Sequence, residues 1–89
     1  MNTAVKKHPV IVMQPVESSQ IAAIGHDPAT NTLAIEFKSW NKDKPENIYH
    51  YDNFTSADFE EFKNAKSFGS HFKTHIKAYS DKFPYTKIS

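Results

Sequence analysis

The chain has 89 residues, 38% of them hydrophobic and 24% charged, the composition of one small globular domain. At this length folding buries only about 60–65% of the surface that the unfolded chain exposes, which argues against a deep, walled active site. Its eleven basic residues are all lysine, set against ten acids for a net charge of +1; this excludes a uniformly basic, histone-like binder. The missing arginine argues against base-edge readout in DNA, which leans on the guanidinium fork. The absence of cysteine removes disulfides, thiolate metal sites and cysteine nucleophiles, and fits a reducing compartment.

Met1 to Val12 holds Lys6 and Lys7 ahead of the short apolar run Val10 to Met13. That run is too short for a signal peptide or a membrane span, so a cytoplasmic location and no membrane partner are expected. Residues 1–12 read as an N-terminal extension able to add an edge strand, and Pro9 to Val16 as a short strand whose prolines suit an edge. Ser18 to Gly25 reads as the next strand. In the turn after it, Asp27 to Asn31, Pro28 sets the first dihedral and Asn31 tolerates a left-handed one. Thr32 to Lys38 alternates, with Leu33, Ile35 and Phe37 on one face and Thr32, Glu36 and Lys38 on the other, which predicts a strand buried on one side and wet on the other. Trp40 to Asn47 is a polar, proline-interrupted loop. Ile48 to Asp52 is a further strand, with Tyr49 and Tyr51 on one face and Ile48 and His50 on the opposite one, His50 toward solvent.

From Phe54 the period changes. Thr55 is placed to cap a helix, Asp58 to complete a capping box, and Phe54 and Phe59 to staple the entry. This helix is expected to run to about Lys66 and bury Phe59, Phe62 and Ala65, with Gly69 supplying a left-handed terminus. A second helix from Ser70 shows Phe72, Ile76 and Tyr79 at helical spacing. Two apolar stripes need a matching surface, and the apolar face of the meander supplies it. The predicted fold class is α+β: an antiparallel β-meander of three to four strands packed on one face by two C-terminal helices.

Charge is unevenly distributed. Met1 to Phe62 holds five lysines and nine acids, a balance of −4, whereas Lys63 to Ser89 holds six lysines and Asp81 alone, a balance of +5.

Two surfaces stand out as nucleic-acid-binding candidates. Tyr49 and Tyr51 project from one strand face, as in sheet platforms that stack the bases of single-stranded RNA; the alternative is that both rings pack under the helices with their hydroxyls at the rim. Lys73 and Lys77 are one helical turn apart, with Lys66 near the helix corner, a face able to neutralise phosphates weakly or simply to be solvated. Trp40, Phe83 and Tyr85 are candidate protein-interface aromatics. His71 and His75 have a spacing that can hold zinc, but no Glu follows in register and no cysteine can complete the site, so no metal is expected. For catalysis, Ser18 and Ser19 lack a nucleophile elbow, two glycines cannot cradle a phosphate, and Glu60 and Glu61 point apart on a helix. No enzyme activity and no cofactor are expected.

Several short motifs occur in order: Val16-x-Ser18-Ser19-x-Ile21-x-x-Ile24-Gly25-x-Asp27-Pro28, Leu33-x-Ile35-x-Phe37, Tyr49-x-Tyr51, and Ala65-x-Ser67-x-Gly69-x-x-Phe72-x-x-x-Ile76-x-x-Tyr79. Together they resemble the KTSC domain, a small domain at the C-terminus of some lysyl-tRNA synthetases that also occurs as free-standing bacterial and phage proteins. The resemblance spans residues 13–79, leaving 1–12 and 80–89 as an extension and a C-terminal tail. The sequence departs from the pattern in the longer connection before Tyr49, in His26 where an aromatic is commoner, and in both extended ends. The resemblance implies the Tyr-x-Tyr pair as the family's mark, and RNA as a partner through the synthetase association. Two functions follow as expectations: a small non-enzymatic module binding RNA weakly, or a protein-interaction or inhibitory accessory module of bacterial or phage origin.

Overall fold

A computed structural model describes residues 11–38 and 47–88. Five strands form one antiparallel sheet in chain order: β1 (Gln14–Pro15), β2 (Ile21–Asp27), β3 (Thr32–Phe37), β4 (Ile48–Tyr51) and β5 (Tyr85–Lys87). The helical layer comprises α1 (Ser56–Lys63) and α2 (Phe68–His71), the latter continued by a π-helical turn over Phe72–Ile76 and a 3₁₀ turn over Lys77–Tyr79. The α+β meander is as expected. The strand count is higher because the C-terminal tail supplies β5.

Local chemistry sets the strand boundaries. The Ser18 hydroxyl accepts hydrogen bonds from the backbone N–H groups of Gln20 and Ile21, each at 3.2 Å, so the chain turns there and β2 begins at Ile21 instead of Ser18. A bulge between Ile21 and Ala23 then brings Ile21 and Ile24, three residues apart, onto the same buried face. After β2, the Asp27 carboxylate accepts from the Ala29 N–H and the Thr30 hydroxyl, both at 3.0 Å, and Asn31 takes the left-handed conformation (φ 53°) that its sequence context predicts. Pro9 and Val10 of the first predicted strand lie outside the described residues; Gln14 and Pro15 pair with Ile24 and Ala23 at the sheet edge.

β3 is not wet on its second face. Gly25, Ala34 and His50 align across β2, β3 and β4, and all three are buried, as is Thr32. Residues 11–13 cross over this strip so closely that a methyl group on Gly25 would collide with the Val12 carbonyl oxygen. His50 therefore faces a covered surface and not solvent.

The helix entry forms as its residues dictate. The Thr55 hydroxyl accepts from the Asp58 N–H at 3.1 Å, and the Asp58 carboxylate accepts from the Thr55 N–H at 3.0 Å. α1 is shorter than expected, ending at the Asn64 cap, where the Asn64 side-chain amide donates to the Glu60 carbonyl at 2.9 Å. Gly69 does not terminate it. Ser67 caps α2, Gly69 lies inside that helix without a positive φ, and an added Cβ there would meet the Gln20 side chain at 3.1 Å. In the π turn the Lys77 N–H bonds to the Phe72 carbonyl five residues back, and Phe72 and Ile76 are buried. Tyr79 is 57% exposed, because the backbone departs from helical geometry at Ile76 (φ −119°, ψ −62°). Phe83 enters the core instead, its N–H bonded at 2.9 Å to the Tyr79 carbonyl. Ile21, Leu33, Ile35, Phe54, Phe62 and Ile76 are fully buried between sheet and helices.

Candidate functional site

β4 and β5 are in a register that gathers aromatic rings. Tyr51 lies opposite Tyr85 and Tyr49 opposite Lys87, so all four side chains share the face that carries the helices. The three tyrosine rings form a triangle: 6.5 Å between Tyr49 and Tyr51, 5.7 Å between Tyr49 and Tyr85, and 5.8 Å between Tyr51 and Tyr85. Phe37 and Phe72, 5.1 Å apart, adjoin it, each 5.7 Å from one tyrosine of β4. These rings line an open groove of about 370 Å³ between the sheet and the π and 3₁₀ turns, with Lys77 and Ser80 on the helical bank. Tyr51 is 5% exposed and forms the floor; Tyr49 is half-buried; Tyr85, 59% exposed, forms the outer wall. Burial, with smaller contributions from Tyr49 and Tyr85, pushes the Tyr51 phenol far above its ordinary range, so it stays protonated and keeps its donor.

The lysines continue this groove. Phe37, Phe72 and Lys77 also line an adjoining cleft of about 390 Å³ with Lys38, Lys73, Ser19 and Gln20. Ser19, Gln20 and Lys73 in turn lead into a polar hollow of about 220 Å³ beside Lys66, Ser67 and Ser70. Tyr49, Tyr51, Lys66, Lys73 and Lys77, two separate surfaces in the sequence, are thus parts of one strip. No carboxylate lines its first two segments among the described residues; Glu17 borders the third.

The sequence pattern of the KTSC domain matches residues 17–79. The chain belongs to the KTSC domain family. A solved KTSC domain protein from Yersinia pestis is 32% identical, with a TM-score of 0.74, and the match covers 90% of this chain and 100% of that one. No relative is found among curated proteins. The Tyr-x-Tyr pair and Lys66, Lys73 and Lys77 fall inside the matched KTSC residues, whereas Tyr85 and Lys87 lie beyond them.

Several other rings of this KTSC domain are occupied by contacts within the fold. Phe83, expected as an interface residue, is 4% exposed and packs 5.2 Å from Phe54, so the core has claimed it. Trp40 lies outside the described residues. His26 stacks on Phe59 at 5.1 Å, and its Nε2 lies 2.6 Å from the Phe54 carbonyl, which can only accept, so this nitrogen carries the proton. The His71 and His75 rings stack at 4.3 Å with 9° between their planes, and Phe62 stacks on His71 at 5.3 Å. Burial first, then the charge of His75, lowers the pKa of His71, against an opposing effect of Glu61. Among the described residues no group of three or more His, Asp or Glu side chains could hold a metal ion, and no helix is long and apolar enough to cross a membrane. Sequence reasoning missed Phe37 and Lys38 as groove residues, and placed Tyr85 as an interface candidate apart from Tyr49 and Tyr51, with which it lines the groove. Tail aromatics interleaved with lysine were the available signal.

Proposed function

We propose that this KTSC protein is a small, non-enzymatic binding module for single-stranded nucleic acid, with RNA as its natural partner. The observation that carries this reading is the continuity of aromatic groove and lysine cleft through Lys77. Single-strand binders combine rings on which unpaired bases stack with cations that track the backbone. Here Tyr49 and Tyr85 offer the rings, and Lys38, Lys73, Lys77 and Lys66 follow in line. Compact lysine ammonium groups neutralise phosphates without reading base edges, so modest affinity and little sequence preference are expected.

Fluorescence anisotropy with labelled single-stranded RNA, and with the same sequence as a duplex, tests the reading. Preferential single-strand binding that weakens steeply between low and physiological salt supports it. Equal affinity for the duplex, or affinity indifferent to salt, refutes it. A pull-down that retains a protein after nuclease treatment, with no oligonucleotide binding in anisotropy, favours a protein partner instead.

A further inference from the structure

The C-terminal strand carries a more specific role. β5 lies beyond the matched KTSC residues, yet it is built firmly into the sheet. The Asp52 N–H bonds to the Pro84 carbonyl at 2.9 Å just before it, the Ile88 N–H bonds to the Ile48 carbonyl at 2.7 Å just after it, and Phe83 anchors its approach in the core. Strand alternation sends Tyr85 to the groove, Lys87 to the same sheet face beside the groove's Tyr49, and Thr86 to the other face. The Lys87 ammonium sits 5.8 Å from the Tyr49 ring, placing a cation at the aromatic end of a groove whose other lysines lie toward the opposite end. On the floor, the 5%-exposed Tyr51 is almost wholly withdrawn from water, and its hydroxyl forms no hydrogen bond with another described residue. A hydroxyl lining an open groove with no protein partner is free to bond a polar ligand atom that reaches it.

We propose that β5 completes a subsite for one unpaired nucleobase: its ring stacks on Tyr85 and Tyr49, its polar edge meets the Tyr51 hydroxyl, and its flanking phosphates lie against Lys87 and Lys77. This rests on the single-strand reading above and adds to it which residues hold a base. The groove's volume of about 370 Å³ is at the small end of ligand sites, suited to one ring system instead of a paired step. Because the strand is fixed at both ends before any ligand arrives, little ordering cost accompanies binding.

The test uses the full chain, a labelled oligouridylate, and the same strand with its bases removed. Tyr85 is exposed, so Tyr85→Ala is expected to fold normally, which circular dichroism checks. It should weaken oligouridylate binding by about 5- to 150-fold, the range for one stacked base, and should leave the already weak binding of the abasic strand unchanged. Tyr85→Phe should bind as the parent does. Tyr51→Phe keeps the ring and should lose several-fold in affinity for the base-bearing strand alone. Unchanged oligouridylate binding by a folded Tyr85→Ala, while the parent chain binds, overturns the subsite and leaves the single-strand reading standing. Failure of the parent chain to bind oligouridylate overturns both.

Discussion

Two aromatic regions flank the same core and differ in what surrounds them. On one side Phe54, His71, His75 and Phe83 border a cleft of mixed charge, with Asp58, Glu61 and Lys82 in its lining and Phe62 packed behind His71. On the other, Phe37, Tyr49, Tyr51, Phe72 and Tyr85 border a groove continued by Lys38, Lys73 and Lys77. The first set is spent on itself: Phe62 stacks on His71, His71 on His75, and Phe54 lies edge-on to Phe83. The second keeps an exposed tyrosine wall and a phenol whose hydroxyl bonds to no other described residue. Aromatic density alone therefore does not mark a binding surface. The proposed function rests instead on rings left open and bordered by one sign of charge.

The contrast can be broken most severely at Phe62, which is fully buried. Phe62→Ala should cost about 3–5 kcal/mol of stability, seen as a large drop in the denaturation midpoint. Such a loss is a large share of the stability of a domain this small. Across the core, Tyr49→Ala should act mainly on binding: a loss of about 1–3 kcal/mol toward single strands, with a smaller stability change than at Phe62. Equal stability losses from the two variants would erase the distinction.

The paired change Lys73→Ala and Lys77→Ala sharpens the charge side of the comparison. It should reduce the slope of log affinity against log salt by about 1–2 and weaken all single strands alike, while stability stays within about 0.5 kcal/mol of the parent. The smallest effect is expected from pH. The folded pKa of His71 is lowered, so the folded state binds its proton less readily than the unfolded state does. Stability should be level above the ordinary value of 6.5 and should fall as pH drops below it, and His71→Gln should flatten that decline in denaturation curves at pH 7 and pH 5. An unchanged pH response in the variant would assign it to another group.

Devices that act over a few residues were legible in the sequence. The Thr55 and Asp58 box, the left-handed Asn31 and the buried Leu33 and Ile35 all formed where residue type and spacing placed them, because each is decided within one turn or one strand. Apart from the Ser18 turn and the place of Gly69 inside α2, what escaped depends on partners far along the chain. Tyr85 and Thr86 favour a strand, and the tail could be read as an edge strand, but three residues do not choose a partner; the pairing with β4 comes from Phe83 entering the core and from hydrogen bonds to Ile48 and Asp52. The buried second face of β3 depends on a distant carbonyl, that of Val12, resting over Gly25. Likewise Tyr51 and Lys77 were each visible as candidates, but only the folded sheet puts them on one groove.

The π turn at Phe72–Ile76 carries a further consequence for how this surface can change over evolutionary time. A π turn holds one residue more than an α-helical turn, and each residue of an α-helix advances the chain by about 100°. Losing a single residue between Phe72 and Ile76 would let the segment relax to an α-helix, and the positions after it would swing by roughly that angle relative to Phe72. Lys77 would then leave the groove, or the core would lose Ile76 to keep it. The electrostatic character of this surface is therefore exposed to one-residue deletions and insertions as much as to substitutions, and comparisons that weigh only side-chain identity would overlook such a change.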